Sequence, residues 1–145
     1  MKLIDTDTIN YILVNKKTFN EECFVTPDVH EEMLVAEMVH NKKAPKSIKQ
    51  IIFESDFDEA SYLQSYYEAL NQYNKRSFFN MKGLGDVSIA AAVNTIVQTI
   101  KKKPNTLPLP GMSEELEIYT GDTNLSKYLK KNFNGDIKIH NKTNI

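Results

Sequence analysis

The sequence predicts an α/β fold, more closely a three-layer α/β/α sandwich with a mainly parallel sheet of short strands. Two observations support this prediction. Short apolar runs alternate along the chain with longer segments of helical periodicity. The most apolar segment, residues 86–100, is hydrophobic nearly all round, as expected of a helix that packs against a sheet. The chain has 145 residues, the size of one domain with a single core, and we assign residues 1–145 to that domain.

The first strand–helix unit is predicted in residues 2–15. Residues 2–5 (Lys-Leu-Ile-Asp) form a short strand that ends in an acid. A helix follows over residues 8–15, where the apolar residues recur at helical spacing. Thr6 or Asp7 is a suitable N-cap, because such side chains accept hydrogen bonds from the free amides of the first turn.

The second unit combines a strand over Cys23 to Thr26 with a helix that begins at Pro27 and reaches about residue 41. Thr26 is its expected N-cap, and a proline is tolerated in the first turn, where its missing N–H is not needed. The predicted buried stripe of this helix contains Val29, Met33, Ala36 and either Val39 or His40.

The middle of the chain is less regular. Residues 47–53 fit either a short helix or a short strand. Residues 58–75 form a predicted helix, and its apolar stripe contains Ala60, Leu63, Tyr66 or Tyr67, and Leu70. Lys75, Arg76 and Lys82 precede the apolar helix that begins at Asp86 and are candidates for substrate contact.

The last part of the chain is predicted from chain breakers and apolar runs. The predicted elements are a turn at 83–85, the apolar helix 86–100, a loop at 101–110, a strand at 116–120, a helix at 124–131 and a strand at 137–140.

The composition excludes several classes of protein. A single cysteine, Cys23, leaves no partner for an internal disulfide and no cysteine-rich zinc site, and its apolar neighbours predict a buried strand residue. No window approaches the roughly 20 apolar residues of a membrane helix, and the first residues contain no stretch typical of a signal peptide. We therefore expect a soluble, cytoplasmic protein with no membrane partner.

The charges are nearly balanced, with a formal net charge of −1. Lysines are nevertheless grouped, and such groups are able to contact phosphates or to remain simply solvated. The groups are Lys42, Lys43, Lys46 and Lys49, then Lys101 to Lys103, and finally Lys127, Lys130, Lys131, Lys138 and Lys142.

Acidic residues stand at the predicted junctions between elements. Asp5 ends the first strand, Asp122 follows the strand at 116–120, and Asp86 opens the apolar helix. Glu32 lies nearly two turns into the second helix. Because the carboxyl ends of parallel strands share one edge, we expect the carboxyl groups of Asp5, Asp86 and Asp122 to face one cleft. Clustered carboxylates repel one another unless a cation neutralises them, and an all-oxygen set favours Mg²⁺ or Mn²⁺.

Four segments resemble, in order, the motifs of the PIN-domain family. Residues 3–9 (Leu-Ile-Asp-Thr-Asp-Thr-Ile) resemble the opening motif, an apolar strand followed by Asp-Thr. Residues 26–33 (Thr-Pro-Asp-Val-His-Glu-Glu-Met) resemble the second, a Thr-started helix that contains a Glu. Residues 85–92 (Gly-Asp-Val-Ser-Ile-Ala-Ala-Ala) and 119–122 (Tyr-Thr-Gly-Asp) resemble the third and the fourth. The ordered set covers most of the chain.

The resemblance implies a VapC-like, PIN-domain ribonuclease that hydrolyses RNA phosphodiester bonds with one or two Mg²⁺ or Mn²⁺ ions. It makes Asp5, Asp86 and Asp122 metal ligands, and Glu32 a ligand or an orienter of the attacking water. Thr120 is then expected to hydrogen-bond a neighbouring carboxylate. Asp122 is also explained by ordinary helix capping.

Two positions depart from the motif or leave it ambiguous. Asp7 stands where the family usually has Asn or Ser, so the site is more acidic or position 7 itself touches metal. Either Glu31 or Glu32 fits the second motif. We choose Glu32 because an apolar residue follows it and because Val29 and Met33 then face the same side.

Two other interpretations are open. Residues 4–9 also fit the Asp-x-Asp-x-Thr motif of haloacid-dehalogenase-like phosphatases, with Asp5 as nucleophile and Asp7 as acid or base. Gly85-Asp86 would then be the late Gly-Asp motif, but Thr120 follows it where that family places its Thr motif earlier, and the second downstream acid is missing. The other interpretation is a non-catalytic PIN module that binds RNA or protein. For a toxin, the resemblance implies a homodimer and a small antitoxin protein as partner.

Overall fold

The computed structural model describes residues 1–51, 59–73, 84–102 and 115–145. They form a five-stranded, all-parallel sheet flanked by helices, which confirms the predicted α/β class. The elements are β1 (Lys2–Ile4), α1 (Thr6–Val14), β2 (Cys23–Val25), α2 (Pro27–His40), β3 (Ile48–Gln50), α3 (Glu59–Tyr73), α4 (Gly85–Lys102), β4 (Leu116–Tyr119), α5 (Thr123–Asn132), β5 (Ile137–His140) and a C-terminal 3₁₀ turn (Lys142–Asn144).

The strand order β3-β2-β1-β4-β5 places a switch point between β1 and β4. From β1 the chain adds strands on one side, and from β4 it adds β5 on the other. At such a point the helices that follow the two strands diverge, which opens a crevice at the strands' carboxyl ends. Ile4 pairs with Tyr119 at this edge, so the residues directly after both strands flank one crevice.

The core lies between the sheet and the helices, with α4 at its centre. Helix α4 is apolar nearly all round, and its buried residues contact both the central core and α3, as the sequence predicted. Fully buried residues of the strands and α4 include Leu3, Ile4, Ile118, Val87, Ile89, Val93 and Ile96. Cys23 is buried in β2, also as predicted, and burial raises the pKa of its thiol to about 11.

The structure decides between the two residues predicted at the end of the buried stripe of α2, in favour of His40. Three of the predicted residues, Val29, Met33 and Ala36, are buried. Val39, however, is 75% exposed, and the half-buried His40 continues the buried side, with its ring nitrogen 3.3 Å from the Asn10 carboxamide oxygen. The sequence left the two open because α2 also has apolar residues on its outer face.

The predicted stripe of α3 is wrong in its first half, where Ala60 is exposed and Leu63 is 58% exposed. Of the alternatives Tyr66 and Tyr67, Tyr66 is half-buried and Tyr67 is 63% exposed, and Leu70 is half-buried. Helix α3 instead buries Tyr62, Ser65 and Ala69. The reason is its close packing against α4, which favours small residues at the contact and includes a 2.8 Å hydrogen bond from the Asn94 amide to the Ser65 hydroxyl.

Several predictions fall at the limits of the described residues. The undecided segment 47–53 contains strand β3, which pairs with β2, while its last two residues lie outside the described part. Helix α4 continues to Lys102, into the predicted loop. The candidate contacts Lys75, Arg76 and Lys82 also lie outside the described residues. In the four described ranges, no helix is long and apolar enough to cross a membrane.

Candidate active site

The crevice at the switch point is built from the residues that directly follow β1 and β4. Asp5 comes after β1, and Thr120, Gly121 and Asp122 come after β4. The Thr8 hydroxyl donates a 2.7 Å hydrogen bond to the carbonyl of Tyr119, which ties the first turn of α1 to the end of β4. The two segments are therefore held side by side.

Asp5 is the N-cap of α1, which corrects the prediction that Thr6 or Asp7 caps the helix. Its backbone is extended, with φ −101° and ψ 179°, and its Oδ1 accepts the amide of Thr8 at 3.0 Å. Its Oδ2 accepts the hydroxyl of Thr120. Only 3% of Asp5 is exposed. All three residues from 5 to 7 have suitable capping side chains, and the one at the end of the strand takes the role.

Asp7 lies beside Asp5 and contacts two further groups. Its Oδ1 accepts the Gly121 amide at 3.1 Å, and its Oδ2 is 3.6 Å from the ammonium nitrogen of Lys142. A Cβ on residue 121 would meet Asp7 Oδ2 and lie 2.8 Å from Lys142 Cδ, so any larger residue there would displace these two side chains. We call Asp5, Asp7, Thr120, Gly121 and Lys142 the Asp5 cluster.

The pKa values of the two acids in the Asp5 cluster are shifted in opposite directions. Burial raises the pKa of Asp5 well above its usual range, and the adjacent negative charge of Asp7 raises it further, against the opposing hydrogen bonds from Thr120 and Thr8. Burial also opposes ionisation of Asp7, but hydrogen bonds from Asp5 and Gly121 and the charge of Lys142 outweigh it and lower the pKa of Asp7. The two pKa values are therefore shifted in opposite directions, that of Asp5 upward and that of Asp7 downward.

Hydroxyl groups join the beginnings of α2 and α4. The Thr26 hydroxyl caps α2, accepting the Val29 amide at 3.3 Å as predicted, and lies 2.6 Å from the Ser88 hydroxyl. Ser88 Oγ also contacts the carbonyl oxygen of Gly85 at 2.7 Å. These contacts fix the first turn of α4, which contains Asp86, against the first turn of α2.

Glu32 extends from α2 into the space that Gly85 leaves free. A Cβ at residue 85 would lie 2.8 Å from Glu32 Oε2, and the same oxygen accepts the hydroxyl of Thr6. Glu31, by contrast, is exposed. The structure thus brings Glu32, of the two adjacent glutamates, to the start of α4 beside Asp86.

Asp122 caps α5 and still has an oxygen that takes no part in capping. Its Oδ1 accepts the amides of Asn124 and Leu125 at 2.9 and 3.0 Å. Its own amide donates to the Thr120 hydroxyl oxygen at 3.0 Å. Thr120 therefore links Asp122 to Asp5. We call Glu32, Asp86 and Asp122 the Asp86 cluster.

Asp86 is surrounded by other acids. Burial raises its pKa to about 7, and the negative charge of Asp122, a hydrogen bond with that carboxylate and the charges of Glu32 and Asp7 act in the same direction. An Asp that ionises near neutral pH marks the point where the carboxylates of the crevice repel one another most directly.

Three of the predicted site acids, Asp5, Asp86 and Asp122, thus lie at the starts of α1, α4 and α5, and the fourth, Glu32, lies in α2. The two clusters are linked by the hydrogen bonds of Thr120 and by the negative charge of Asp7, which acts on Asp86. Among the described residues, no group of three or more His, Cys, Asp or Glu side chains is arranged to hold a metal ion. Sequence reasoning did not single out Lys142, Thr6 or Gly121 as site residues. Only Gly121 had a local signal, its position inside the fourth motif.

The chain was compared with protein-family models, curated proteins and solved structures, and none of the three comparisons gave a match. The PIN-domain resemblance therefore rests on the four motifs alone, and the activity it implies is a proposal.

Proposed function

We propose that the protein is a Mg²⁺- or Mn²⁺-dependent ribonuclease of the PIN type, which hydrolyses RNA phosphodiester bonds at the switch-point crevice. The main support is Asp86, whose pKa of about 7 reflects burial together with the charges of Asp122, Glu32 and Asp7. Like charges held together in this way lower the stability of a fold, so their assembly from separate segments is typical of a site that binds a cation or moves protons.

The donor chemistry fits a hard divalent cation. Asp86, Asp122, Glu32 and Asp5 offer carboxylate oxygens, the ligands that Mg²⁺ and Mn²⁺ prefer. When bound, such an ion polarises a phosphate and lowers the pKa of its bound water. Because no three acids of the described chain are arranged to hold a metal, the proposal requires the carboxylates to draw closer as the ion binds and their protons leave.

The remaining contacts suggest roles for the chain's own residues. Thr6 holds the Glu32 carboxylate, which suits an orienter of water. Thr120 fixes both Asp5 and the Asp122 amide, so it positions a member of each cluster. Burial and the neighbouring acids raise the pKa of Asp86 to about 7, so a cation that binds there would displace its proton.

The phosphatase alternative is weakened by the surroundings of Asp5. A nucleophilic carboxylate must be ionised and must reach the phosphorus atom. Asp5 is 3% exposed, its Oδ1 and Oδ2 accept hydrogen bonds from Thr8 and Thr120, and its pKa lies well above the usual range. These properties suit a buried support better than a nucleophile.

The test is a cleavage assay with single-stranded and structured RNA. We expect cleavage with Mg²⁺ or Mn²⁺, loss of cleavage with EDTA, and at least a hundredfold loss in Asp86→Asn. Asp136→Asn is the matched control, because Asp136 pairs with Lys101 away from the crevice and should keep full activity. Full activity of Asp86→Asn would refute the proposal, and a trapped phosphate on Asp5 with RNA intact would establish the phosphatase instead. Homodimerisation and antitoxin binding stay predictions of the resemblance.

A further inference from the structure

We infer that Lys142 holds a phosphate of the RNA beside the two acid clusters, as a positioning residue for the scissile bond. This inference rests on the proposed function. It arises from the C-terminal 3₁₀ turn, which the motifs do not include and which places a lysine at the crevice from the far end of the chain.

The position of Lys142 is built into the fold. Strand β5 ends at His140, and the Asn141 side chain then caps the 3₁₀ turn by accepting the amide and the hydroxyl of Thr143 at 3.0 and 2.9 Å. The turn packs against α1, and Ile145 packs at the edge of the core. Because both sides of Lys142 are held, its side chain is directed by structure and is not a freely moving surface lysine.

Gly121 provides the space through which the Lys142 side chain reaches Asp7. A Cβ there would lie 2.8 Å and 2.9 Å from Lys142 Cδ and Cε. The ammonium nitrogen ends 3.6 Å from Asp7 Oδ2, while 36% of the Lys142 side chain is exposed. An ammonium group has three N–H donors, so contact with Asp7 leaves donors directed toward the solvent side of the crevice.

The charges explain why the proposed site needs such a residue. RNA is anionic, and the ionised acids of the two clusters, Asp7 among them, repel it. In the described part of the chain, the other lysine ion pairs are made with acids outside the clusters, namely Lys2 with Glu21, Lys49 with Glu22, Lys101 with Asp136 and Lys138 with Glu115. Lys142 is the lysine whose ion pair lies within a cluster. A lysine offers a phosphate a compact point charge.

The test is binding of a fluorescein-labelled single-stranded oligoribonucleotide, measured by fluorescence anisotropy with Ca²⁺ in place of Mg²⁺. We expect Lys142→Ala to weaken binding about tenfold and to make the slope of log affinity against log salt shallower by about 0.7–1, as for one lost phosphate contact. Lys142→Arg should restore most of the affinity. Lys138→Ala is the matched control and should bind like the wild type, because Lys138 pairs with the exposed Glu115.

The outcomes separate this inference from the proposed reaction. Normal affinity and salt slope in Lys142→Ala, with cleavage that depends on Asp86, would refute the phosphate contact alone. Weakened binding in Lys142→Ala, with no metal-dependent cleavage by the wild type, would refute the nuclease reaction and support the contact. An equal loss in Lys138→Ala would refute the contact, because it would show a general effect of charge. The thermal midpoint of Lys142→Ala, measured in parallel, should stay close to that of the wild type.

Discussion

The Asp5 cluster and the Asp86 cluster occupy the same edge of the sheet, yet their acids have opposite kinds of neighbours. Asp5 and Asp7 contact groups that donate hydrogen bonds or provide positive charge, among them Thr120, Gly121 and Lys142. Asp86 lies among acids, and the charges that act on it raise its pKa. An acid at the end of a parallel strand is therefore not by itself catalytic, because its partners decide whether it supports the fold or remains reactive.

The acids of the two clusters also differ in burial. Asp5 is almost completely buried and caps α1, whereas Asp86 is only partly buried. We therefore expect changes at Asp5 to act first on stability and changes in the Asp86 cluster to act first on activity. Matched variants in the two clusters test this expectation.

The largest effect on stability is expected for Asp5→Ala. The variant loses the N-cap bond to the Thr8 amide, worth about 0.5–2 kcal/mol, and leaves the buried Thr120 hydroxyl without its acceptor, worth about 1–3 kcal/mol. We expect a loss of about 2–4 kcal/mol in the free energy of unfolding, measured by urea titration. Asp5→Asn keeps an acceptor for the cap and should lose only about 1 kcal/mol.

Asp136→Ala serves as the control for removal of an aspartate, because Asp136 forms a surface ion pair with Lys101 and should change stability by less than about 1 kcal/mol. A loss for Asp5→Ala no larger than that of the control would show that the Asp5 cluster does not support the fold.

The next effect, on activity, compares the adjacent glutamates of α2. Glu32→Gln removes a charge from the Asp86 cluster and should reduce RNA cleavage at least tenfold, equivalent to about 1.4 kcal/mol in the transition state. Glu31 is exposed, and Glu31→Gln should retain wild-type cleavage. Both variants keep the size and helix propensity of Glu, so each is the other's control. The reverse pattern would place Glu31 in the site.

Alanine substitutions at Gly85 and Gly121 also compare the two clusters, because Gly85 lies against Glu32 and Gly121 lies against Asp7 and Lys142. Gly121→Ala forces a Cβ against Asp7 Oδ2, while the amide of residue 121 holds Oδ1 of the same carboxylate, and we expect a loss of about 1–2 kcal/mol in unfolding free energy. Gly85→Ala meets the end of the more flexible Glu32 side chain inside a helix that favours alanine. It should leave stability within about 0.5 kcal/mol but reduce cleavage by displacing Glu32.

Equal losses of stability in the two alanine variants, measured by urea titration, would contradict the contrast between the clusters. Wild-type cleavage by Gly85→Ala would show that the position of Glu32 beside Gly85 does not matter for activity.

Sequence reasoning predicted the sheet class well because its signals are local. Apolar runs, the Thr26 cap and the apolar character of residues 86–100 each depend on a few neighbouring residues. The buried side of α3 was missed because tertiary packing against α4, and not the density of apolar residues, selects Ser65 and Ala69 for burial. Strand β3 stayed undecided because two of its three residues, Lys49 and Gln50, are polar and exposed, so it lacks an apolar run.

Within the site, the acids at strand ends were visible because they interrupt apolar runs, but their partners were not. Lys142 was one of several lysines in the last part of the sequence, and nothing local distinguished it from Lys138. Its contact with Asp7 joins the two ends of the chain and depends on the path of the 3₁₀ turn over Gly121. The sequence also could not choose Asp5 as the cap among three suitable residues.

The smallest expected effect is a difference in pH dependence between wild type and Asp86→Asn without metal. Because the pKa of Asp86 rises from 3.8 to about 7 in the folded protein, the folded state holds a proton between these values that the unfolded state has released. Asp86 therefore makes the wild type less stable as pH rises from about 4 to about 7, with no further change above. The pKa of Asp7 is lowered, so ionised Asp7 stabilises the folded state. This stabilisation is lost only as the pH falls below the usual range of an Asp.

Asp86→Asn removes the titrating carboxyl group. The stability of this variant should therefore fall less than that of the wild type as the pH rises from about 4 to about 7. By pH 8 the variant should be more stable than the wild type by on the order of 1 kcal/mol, since partial exposure screens the repulsion. Urea titrations at pH 5 and pH 8 in EDTA measure the difference. Mg²⁺ or Mn²⁺ should reverse this difference in stability. An ion that binds the folded wild type stabilises it, whereas the variant binds the ion more weakly and is stabilised less. Parallel pH curves for the two proteins, unchanged by metal, would show that Asp86 is a structural residue like Asp5.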